Sequence, residues 1–338
     1  MPRRRGGVAA ALAVAATLVA AGPAQSSPVE LAEAGGQTAE SALSAGVEAD
    51  AGEIALPPEL EWPNGIAFDG RNRLLVGAIM EPAILRFEND DWTVVDVSAP
   101  GVFSVTSLTY DSERNVVWGT SPAFLDRDAD RRHGLYALDG ESLEMLRFLH
   151  LPDDGFANDT EIAPDGRLLI TDSVNGRVLA YDWARGDFRT LIEDERLGPR
   201  ERVGAAGVTT DAEGRVYVAN FETGRLFVFA DGALRQIELP RRLENPDGLA
   251  LAGDGALLAV EGAVQSGDGR LIRIPDPAEP GPRQVDVLLD RLEFPVNLAV
   301  AGNGGIYVTE SRIRRVIGPA SAQAEPDGFR VVVFGRRP

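Results

Sequence analysis

Six segments of the 338-residue chain repeat one pattern, and this repeat constrains the fold more than any other feature. Each segment has a turn rich in Gly, Asp or Asn, followed by a short aliphatic or β-branched run. The six segments end at Ala78, Thr120, Asp172, Asn220, Glu261 and Glu310. They recur about every 40 to 50 residues, which is the spacing of four-stranded propeller blades.

Shorter runs on either side complete each repeat as a four-stranded unit. In the last unit, the runs RIRRVIG and FRVVVFG are the predicted third and fourth strands. The runs alternate or are briefly apolar, as strands do, and no long stretch has the period of a helix. The sequence therefore predicts an all-β fold, a six-bladed β-propeller of four-stranded antiparallel blades. Closing the ring buries the apolar faces of every blade.

The first 56 residues lack this pattern, so the predicted propeller covers residues 57–338. Residues 1–24 combine a basic start, a short apolar run and small residues before Ala24, which is typical of a secretory signal peptide. Retention as an N-terminal anchor is the alternative, and both Sec and twin-arginine export stay open. Residues 25–56 are predicted to be a disordered acidic linker, because they carry few large apolar side chains. The prediction is a periplasmic or secreted protein without a transmembrane segment after signal cleavage.

Charge and composition exclude several functions. The formal net charge is −19, the basic residues are all arginines, and there is no cysteine. An acidic protein repels phosphate backbones, so no nucleic acid partner is expected. Disulfides, Cys-ligated zinc and thiol nucleophiles are excluded. The histidines, His133 and His150, lie outside the predicted strand entries and are expected at the surface.

Two sets of polar residues are predicted to meet at one end of the channel. In a propeller, the entry to the innermost strand and the end of the second strand lie on the same face. The innermost-strand entries carry Asn64, Asn158 with Asp159, Asp247 and Asn297. Three second strands end in Asp172, Glu261 and Glu310. Asn and Asp also favour turns, so turn chemistry alone is the alternative explanation.

Oxygen ligands from separate blades that face one axis suit a hard divalent cation. The predicted cofactor is Ca²⁺, with Mg²⁺, Mn²⁺ or Zn²⁺ as alternatives. The predicted ligands are Asn64, Asn158, Asp247 and Asn297. The predicted substrate-binding residues are Asp159, Asp172, Glu261 and Glu310. A second acidic segment, DRDADRRHG at 126–134, has Asp126, Asp128 and Asp130 at the spacing of a calcium loop. It lacks the Gly and Glu of such a loop, so a solvated insertion is expected there.

Two segments, FANDTEIAPDGRLLITD and NPDGLALAGDGALLAVE, resemble motifs of the SMP-30/gluconolactonase/luciferin-regenerating-enzyme family of six-bladed propellers. The resemblance covers residues 57–338. It implies one divalent cation in the channel, bound through a Glu, two Asn and an Asp, and for many members the hydrolysis of sugar lactones. By the same resemblance, Asp247 is the metal-binding and catalytic Asp, and Asn158 is the Asn of an Asn-Asp pair.

The chain departs from that family pattern in two places. Asn64 stands at the strand entry where a first-blade Glu is expected, with Glu61 slightly earlier. Ala205 and Ala206 stand where a fourth-blade Asn is expected. Asn297, Asp159 or Glu261 could supply the oxygen ligands that these two departures remove. NHL-type and strictosidine-synthase-like propellers share the blade pattern and are alternatives.

The leading functional hypothesis is a metal-dependent hydrolase that acts on a small-molecule lactone or similar cyclic ester. The cation would polarise the carbonyl, and Asp247 would activate water. The alternative is a non-catalytic propeller that binds a peptide, glycan or protein partner on its channel face. The missing donors at Ala205 and Ala206 favour that alternative, so whether the protein is an enzyme stays open.

Overall fold

The structure, a computed structural model, describes residues 51–122, 134–198, 203–315 and 326–335. Within these ranges the chain forms six four-stranded antiparallel sheets and no α-helix. The innermost strands of neighbouring sheets contact each other all the way around, so the sheets close into a ring. The predicted six-bladed β-propeller is confirmed.

The strands follow each other in chain order from the channel outward in blades one to five. A first strand, β1 (Ala51–Ala55), precedes them. Blade one holds β2 (Pro63–Phe68), β3 (Leu74–Ala78), β4 (Ala83–Glu88) and β5 (Asp91–Asp96). Blade two holds β6 (Ser107–Asp111), β7 (Val116–Ser121), β8 (Gly134–Asp139) and β9 (Met145–His150). Blade three holds β10 (Ala157–Ile162), β11 (Leu168–Asp172), β12 (Arg177–Asp182) and β13 (Asp187–Glu193).

The remaining strands complete the ring. Blade four holds β14 (Ala205–Thr210), β15 (Val216–Asn220), β16 (Arg225–Ala230) and β17 (Ala233–Gln236). Blade five holds β18 (Pro246–Leu251), β19 (Leu257–Glu261), β20 (Gly269–Ile274) and β21 (Asp286–Leu292). Blade six holds β22 (Pro295–Val300), β23 (Ile306–Glu310) and β24 (Arg330–Phe334). Three short 3-10 helices are Pro152–Asp154, Glu195–Leu197 and Ile313–Arg315.

The second strand of each blade is buried on both faces, and this burial explains the ring. Alternate side chains of a strand point to opposite faces of the sheet. In β11, Leu169 packs in a cluster shared with blade four, whereas Leu168 and Ile170 pack in a cluster shared with blade two. Six apolar clusters of this kind each join two neighbouring blades.

Blade six is closed by strands from both ends of the described chain. Its order is β22, β23, β24 and then β1, with 51–55 paired antiparallel to 330–334. The segment FRVVVFG therefore forms the third strand rather than the predicted fourth. The predicted linker range 25–56 overlaps β1, so the propeller begins at Ala51 rather than at residue 57. The pairing with β24 orders a segment whose composition alone is too polar to fold.

Blade two is offset by one residue from the predicted alignment. Its second strand continues past Thr120 to Ser121. Ser121 Oγ accepts hydrogen bonds from the backbone N–H of Phe103 and Ser104 at 3.0 and 3.3 Å. In blade three the backbone N–H of Phe156 donates in the same way to Asp172. Ser121, and not Thr120, is thus the equivalent of the acidic residues that end other second strands.

Residues 1–50, the predicted signal peptide and most of the predicted linker, lie outside the described residues, as do the aspartates at 126–130 and His133. His150 is exposed at the end of β9, as predicted. Across the described ranges, no helix has the length and apolarity needed to cross a bilayer.

Removal of β1 is expected to destabilise the propeller. A chain that starts at Leu56 loses the pairing with β24, the 2.5 Å ion pair between Glu53 and Arg330, and the packing of Ile54 on the core between blades six and one. We expect a loss of several kcal/mol, which lowers Tm by roughly 10 °C in a chain of this size. A chain that starts at Ala51 is the control and should keep the Tm of the longer protein. Equal Tm values for the two truncated chains would show that β1 does not close the ring.

Candidate functional site

One residue at the start of each innermost strand occupies an equivalent position at the channel face, which we call a slot; it is the second strand residue in five blades and directly precedes β6 in blade two. The six slot residues are Asn64, Thr106, Asn158, Ala206, Asp247 and Val296. Threonine hydroxyls hold three slot backbones across blade boundaries. Thr309 Oγ1 donates to the carbonyl of Asn64 at 2.7 Å, and Thr171 Oγ1 donates to that of Ala206 at 2.6 Å. Thr120 Oγ1 donates to the carbonyl of Asn158 at 3.0 Å, so the slots of blades one, three and four are positioned by the second strand of the preceding blade.

The innermost strands approach each other closely beside the slots. The residue after the slot is glycine in blades one, four and five: Gly65, Gly207 and Gly248. A Cβ on Gly207 would lie 2.1 Å from the carbonyl oxygen of Asp247, and one on Gly248 would lie 2.5 Å from Asn297 Oδ1. Such distances are too short for any side chain, so only glycine allows this spacing.

Asp159 fills the equivalent position in blade three, and its carboxylate ties four blades together. Its Oδ1 accepts from Ser107 Oγ of blade two at 2.7 Å, and its Oδ2 accepts from the Val208 N–H of blade four at 3.1 Å. That N–H is free because the pairing of β14 with β15 shifts between Ala205 and Val208, as in a β-bulge. Burial raises the pKa of Asp159, and hydrogen bonds, including one with Asn297 of blade six, partly offset the rise.

Asp247 and Glu161 are further carboxyl groups whose pKa responds to the charge of Asp159. Burial, and secondly that charge, raises the pKa of Asp247 well above its usual range. The same two causes raise the pKa of Glu161 to about 8. Within the described part of the chain, no arginine forms an ion pair with either group. Among the described residues, the channel thus gathers acidic groups with no basic residue to neutralise them.

Glu161 was not among the predicted site residues. It follows Asp159 by two positions in β10, and residues two apart share one side of a strand. That alternation is a signal in the sequence from which Glu161 could have been found. The signal is weak, because the register shift in β10 lies directly before this pair.

The three predicted asparagine ligands differ in whether their side-chain amide oxygen is free to coordinate a cation. Asn158 donates from Nδ2 to Ser173 Oγ at 2.9 Å, which orients the amide and leaves Oδ1 for a ligand. Asn64 is half-buried in its slot. Asn297 is 8% exposed, and its Oδ1 already accepts from the Leu298 N–H at 2.9 Å. Asn297 is therefore placed to support Asp159, with one lone pair remaining on its amide oxygen.

The structure does not bring Asp172, Glu261 and Glu310 together with these channel carboxyl groups. All three are buried, and each accepts hydrogen bonds from an arginine and from a backbone N–H of the loop before its innermost strand. The arginine partners are Arg177 for Asp172, Arg241 for Glu261, and Arg330 and Arg312 for Glu310. These contacts make the three carboxylates supports of their own blades.

The donor set fits a cation only if amide oxygens take part. In the described ranges, no three His, Cys, Asp or Glu side chains lie close enough together to hold a metal ion. The carboxyl group of Asp247 lacks a basic partner, and Asn158 directs an unused amide oxygen from another slot. Carboxylate and amide oxygens are the ligands that hard divalent cations prefer. The slots of blades one, three and five can supply such a set.

A family comparison decides among the propeller families that share this blade pattern. Residues 63–257 match the SMP-30/gluconolactonase/LRE-like region. The chain belongs to the SMP-30/gluconolactonase/LRE-like family. The family predicted from the two motifs is confirmed. A comparison with curated proteins gave no significant match.

Solved structures with the same architecture carry different chemistries. Regucalcin from Agrobacterium tumefaciens, described as a calcium-binding protein, is 16% identical, with 82% of this chain and 92% of that chain covered and a TM-score of 0.58. Virginiamycin B lyase from Staphylococcus aureus is 12% identical, with 86% and 100% covered and a TM-score of 0.58. PQQ-bound aldose sugar dehydrogenase from Streptomyces coelicolor is 15% identical, with 85% and 98% covered and a TM-score of 0.55. At these identities the likeness shows the fold alone.

A methyl group at Gly207 should disturb the channel. Gly207→Ala is expected to cost about 1 to 3 kcal/mol, because its Cβ must push the strand that carries Asp247 away from β14. Gly253→Ala is the matched control, since a Cβ there meets nothing within 4 Å. The measurement is the free energy of unfolding in urea. Similar values for the two variants would contradict the close approach of the strands.

The raised pKa of Glu161 predicts a pH-dependent stability. Between about pH 4.5 and pH 8 the unfolded chain has released this proton while the folded chain still holds it, so rising pH favours unfolding. The free energy of unfolding of the metal-free protein should fall across this window. Glu161→Gln cannot ionise and should flatten the fall, whereas Glu59→Gln, at an exposed position, should not. An unchanged pH slope in Glu161→Gln would disprove the effect.

Proposed function

We propose that the protein is a divalent-cation-dependent hydrolase of a lactone or similar cyclic ester, with its active site in the channel. The observation that carries the proposal is the group of carboxyls around buried Asp159, with Asp247 and Glu161 half-buried beside it, which has no basic partner among the described residues. Burial of an uncompensated carboxylate is costly, and a bound cation would remove that cost. Membership in the SMP-30/gluconolactonase/LRE-like family supports the same conclusion.

In this proposal Asp247, Asn158 and Asn64 hold the cation from three different blades. Asn297 contributes through Asp159, which it contacts, and keeps one lone pair as a further donor. The set contains oxygen donors only, which favours Ca²⁺ over Zn²⁺, with Mg²⁺ and Mn²⁺ as alternatives. When bound, the cation supplies a Lewis acid that polarises the ester carbonyl and stabilises the oxyanion.

The residues of the chain perform the proton transfers. Asp247 accepts a proton from the attacking water at a carboxylate oxygen, and the water oxygen adds to the carbonyl carbon. The ring C–O bond then breaks, and the same proton passes to the leaving alkoxide, so the product is a hydroxy acid. A bound cation would favour the charged carboxylate of Asp247, which burial and the charge of Asp159 disfavour. Asp159 keeps the innermost strands in place during these steps.

A non-catalytic propeller is the second candidate, and one observation favours it. The blade-four slot holds Ala206, which is fully buried and has no side-chain donor. Its carbonyl oxygen is occupied by Thr171 Oγ1. The cation shell would then lack a ligand from blade four, and the channel face would serve to bind a peptide, glycan or protein partner.

The location of the protein is proposed separately from its chemistry. The pattern of residues 1–24 supports export to the periplasm or beyond the cell, where millimolar Ca²⁺ is a common condition for weak calcium sites. A mature N-terminus at Gln25, read by mass spectrometry of the secreted or periplasmic fraction, would support this location. A chain that retains Met1 in the cytoplasm would refute it.

Asp247→Asn tests the proposal directly. The amide keeps the size of the side chain but removes the charge and the base, so Ca²⁺ binding by calorimetry should weaken at least about tenfold and kcat/KM for lactones should fall about 100-fold or more. Asp254→Asn is the control, because it removes the same charge from an exposed turn at the other end of β18. Absence of divalent-cation binding by the unmodified protein would refute the hydrolase. Cation binding without activity on any lactone would favour the binding module.

A further inference from the structure

An apolar patch adjoins the candidate site on the channel face. Trp62, Met80 and Phe221 are partly exposed there, and they pack on buried Val264, Phe294 and Val296. Each lies just before an innermost strand, in its slot, or in the loop after a second strand, which are the positions that define the channel face. The patch draws on blades one, four, five and six.

Val296 connects this patch to the candidate site. It occupies the blade-six slot, the position that holds Asp247 in the neighbouring blade five. The innermost strands of these two blades are in contact, and Gly248 lies against Asn297. A group bound at Asp247 therefore has an apolar surface directly beside it.

Apart from Glu161 and the proposed cation ligands, several polar residues of the described channel face are already engaged in hydrogen bonds. Asp172, Glu261 and Glu310 are bound to arginines and backbone N–H groups of their own blades. Thr120 Oγ1 donates to the Asn158 carbonyl, and Ser173 Oγ donates to the Ala205 carbonyl. A ligand with many hydroxyl groups would find few free donors or acceptors and would lose its hydration without replacement. An apolar substituent has no hydrogen bonds with water to lose, and it would cover Trp62, Met80 and Phe221.

We propose that the substrate is a lactone that bears an alkyl or aryl substituent, and that the patch binds this substituent while the ester lies at Asp247. The inference rests on the proposed hydrolase function and adds the class of substrate. Each methylene that leaves water against the patch should raise kcat/KM about three- to fourfold, until the patch is covered. Polyhydroxylated lactones gain none of this.

The test compares a series of γ-lactones with side chains of increasing length, from γ-butyrolactone to γ-decalactone, and glucono-δ-lactone as the polyhydroxylated member. With saturating Ca²⁺, kcat/KM should rise along the series and be lowest for glucono-δ-lactone. Phe221→Ala and Met80→Ala each remove part of the patch and should flatten the dependence on chain length. Leu146→Ala is the matched control, because it removes an exposed apolar side chain from the outer strand β9 and should keep the full slope. Tm values show whether each variant is folded.

Hydrolysis of glucono-δ-lactone with no gain along the γ-lactone series would overturn this inference and leave the proposed function standing. The inference would also be overturned if kcat/KM rose equally steeply with side-chain length in the patch variants and in the unsubstituted protein. If no lactone is hydrolysed, the proposed function fails, and binding of 5-alkyl-2-pyrrolidinones is measured instead through Trp fluorescence, with Trp62→Phe to assign the signal. Chain-length-dependent binding that Phe221→Ala weakens would then support the patch as a binding site. No binding by any member would overturn it.

Discussion

Burial of the second strand on both faces is the constraint on which this molecule depends. A strand such as β11 carries apolar side chains toward both neighbouring blades, so no blade can satisfy its own hydrophobic surface. Stacking in a line would leave two blades exposed at the ends, whereas a ring leaves none. The central channel is a by-product of this closure, and its width follows from how closely six innermost strands can meet. Glycine in three of them sets that distance.

The electrostatics of the channel follow from the same closure. Asp247 and Glu161 come within range of the charge of Asp159 because strands that are distant in the chain converge at one axis, and the surrounding blades reduce the exposure of all three groups to water. Desolvation is accordingly the first cause of the raised pKa of Asp247 and of Glu161, with the charge of Asp159 second. Asp172, Glu261 and Glu310 show the opposite arrangement, because each of these carboxylates is bound to an arginine. Burial is the largest single influence on the pKa of Glu310 and raises it, but the hydrogen bonds from Arg330 and the Glu293 N–H and the charges of Arg330 and Arg312 together lower this pKa. Buried acids of similar appearance in the sequence are thus separated by their neighbours into supports and candidate ligands.

Fold and site differ in how far the sequence could predict them. The number of blades and their strands could be predicted from short stretches of sequence, since each second strand is a short apolar run after a turn. The closure of blade six has no such local signal, because β1 contains only one large apolar residue and pairs with residues at the other end of the described chain. The slot residues could be predicted by aligning repeats. The partners of Asp159 could not, because Ser107 and Val208 are 52 and 49 residues away, and the Val208 N–H is free only through a register shift. Arg177, five residues after Asp172, was a local sign of a support.

The closure of blade six also bears on how the chain acquires its structure. The edge of β24 stays open until β1 has paired with it, and these strands come from opposite ends of the described chain. Contacts of such long sequence separation form late and slowly, so a nascent propeller exposes an unpaired edge for most of its folding time. Because β1 is the outermost strand of blade six, Ala51 lies at the rim of the ring. An anchor or fusion partner attached there would leave both openings of the channel accessible.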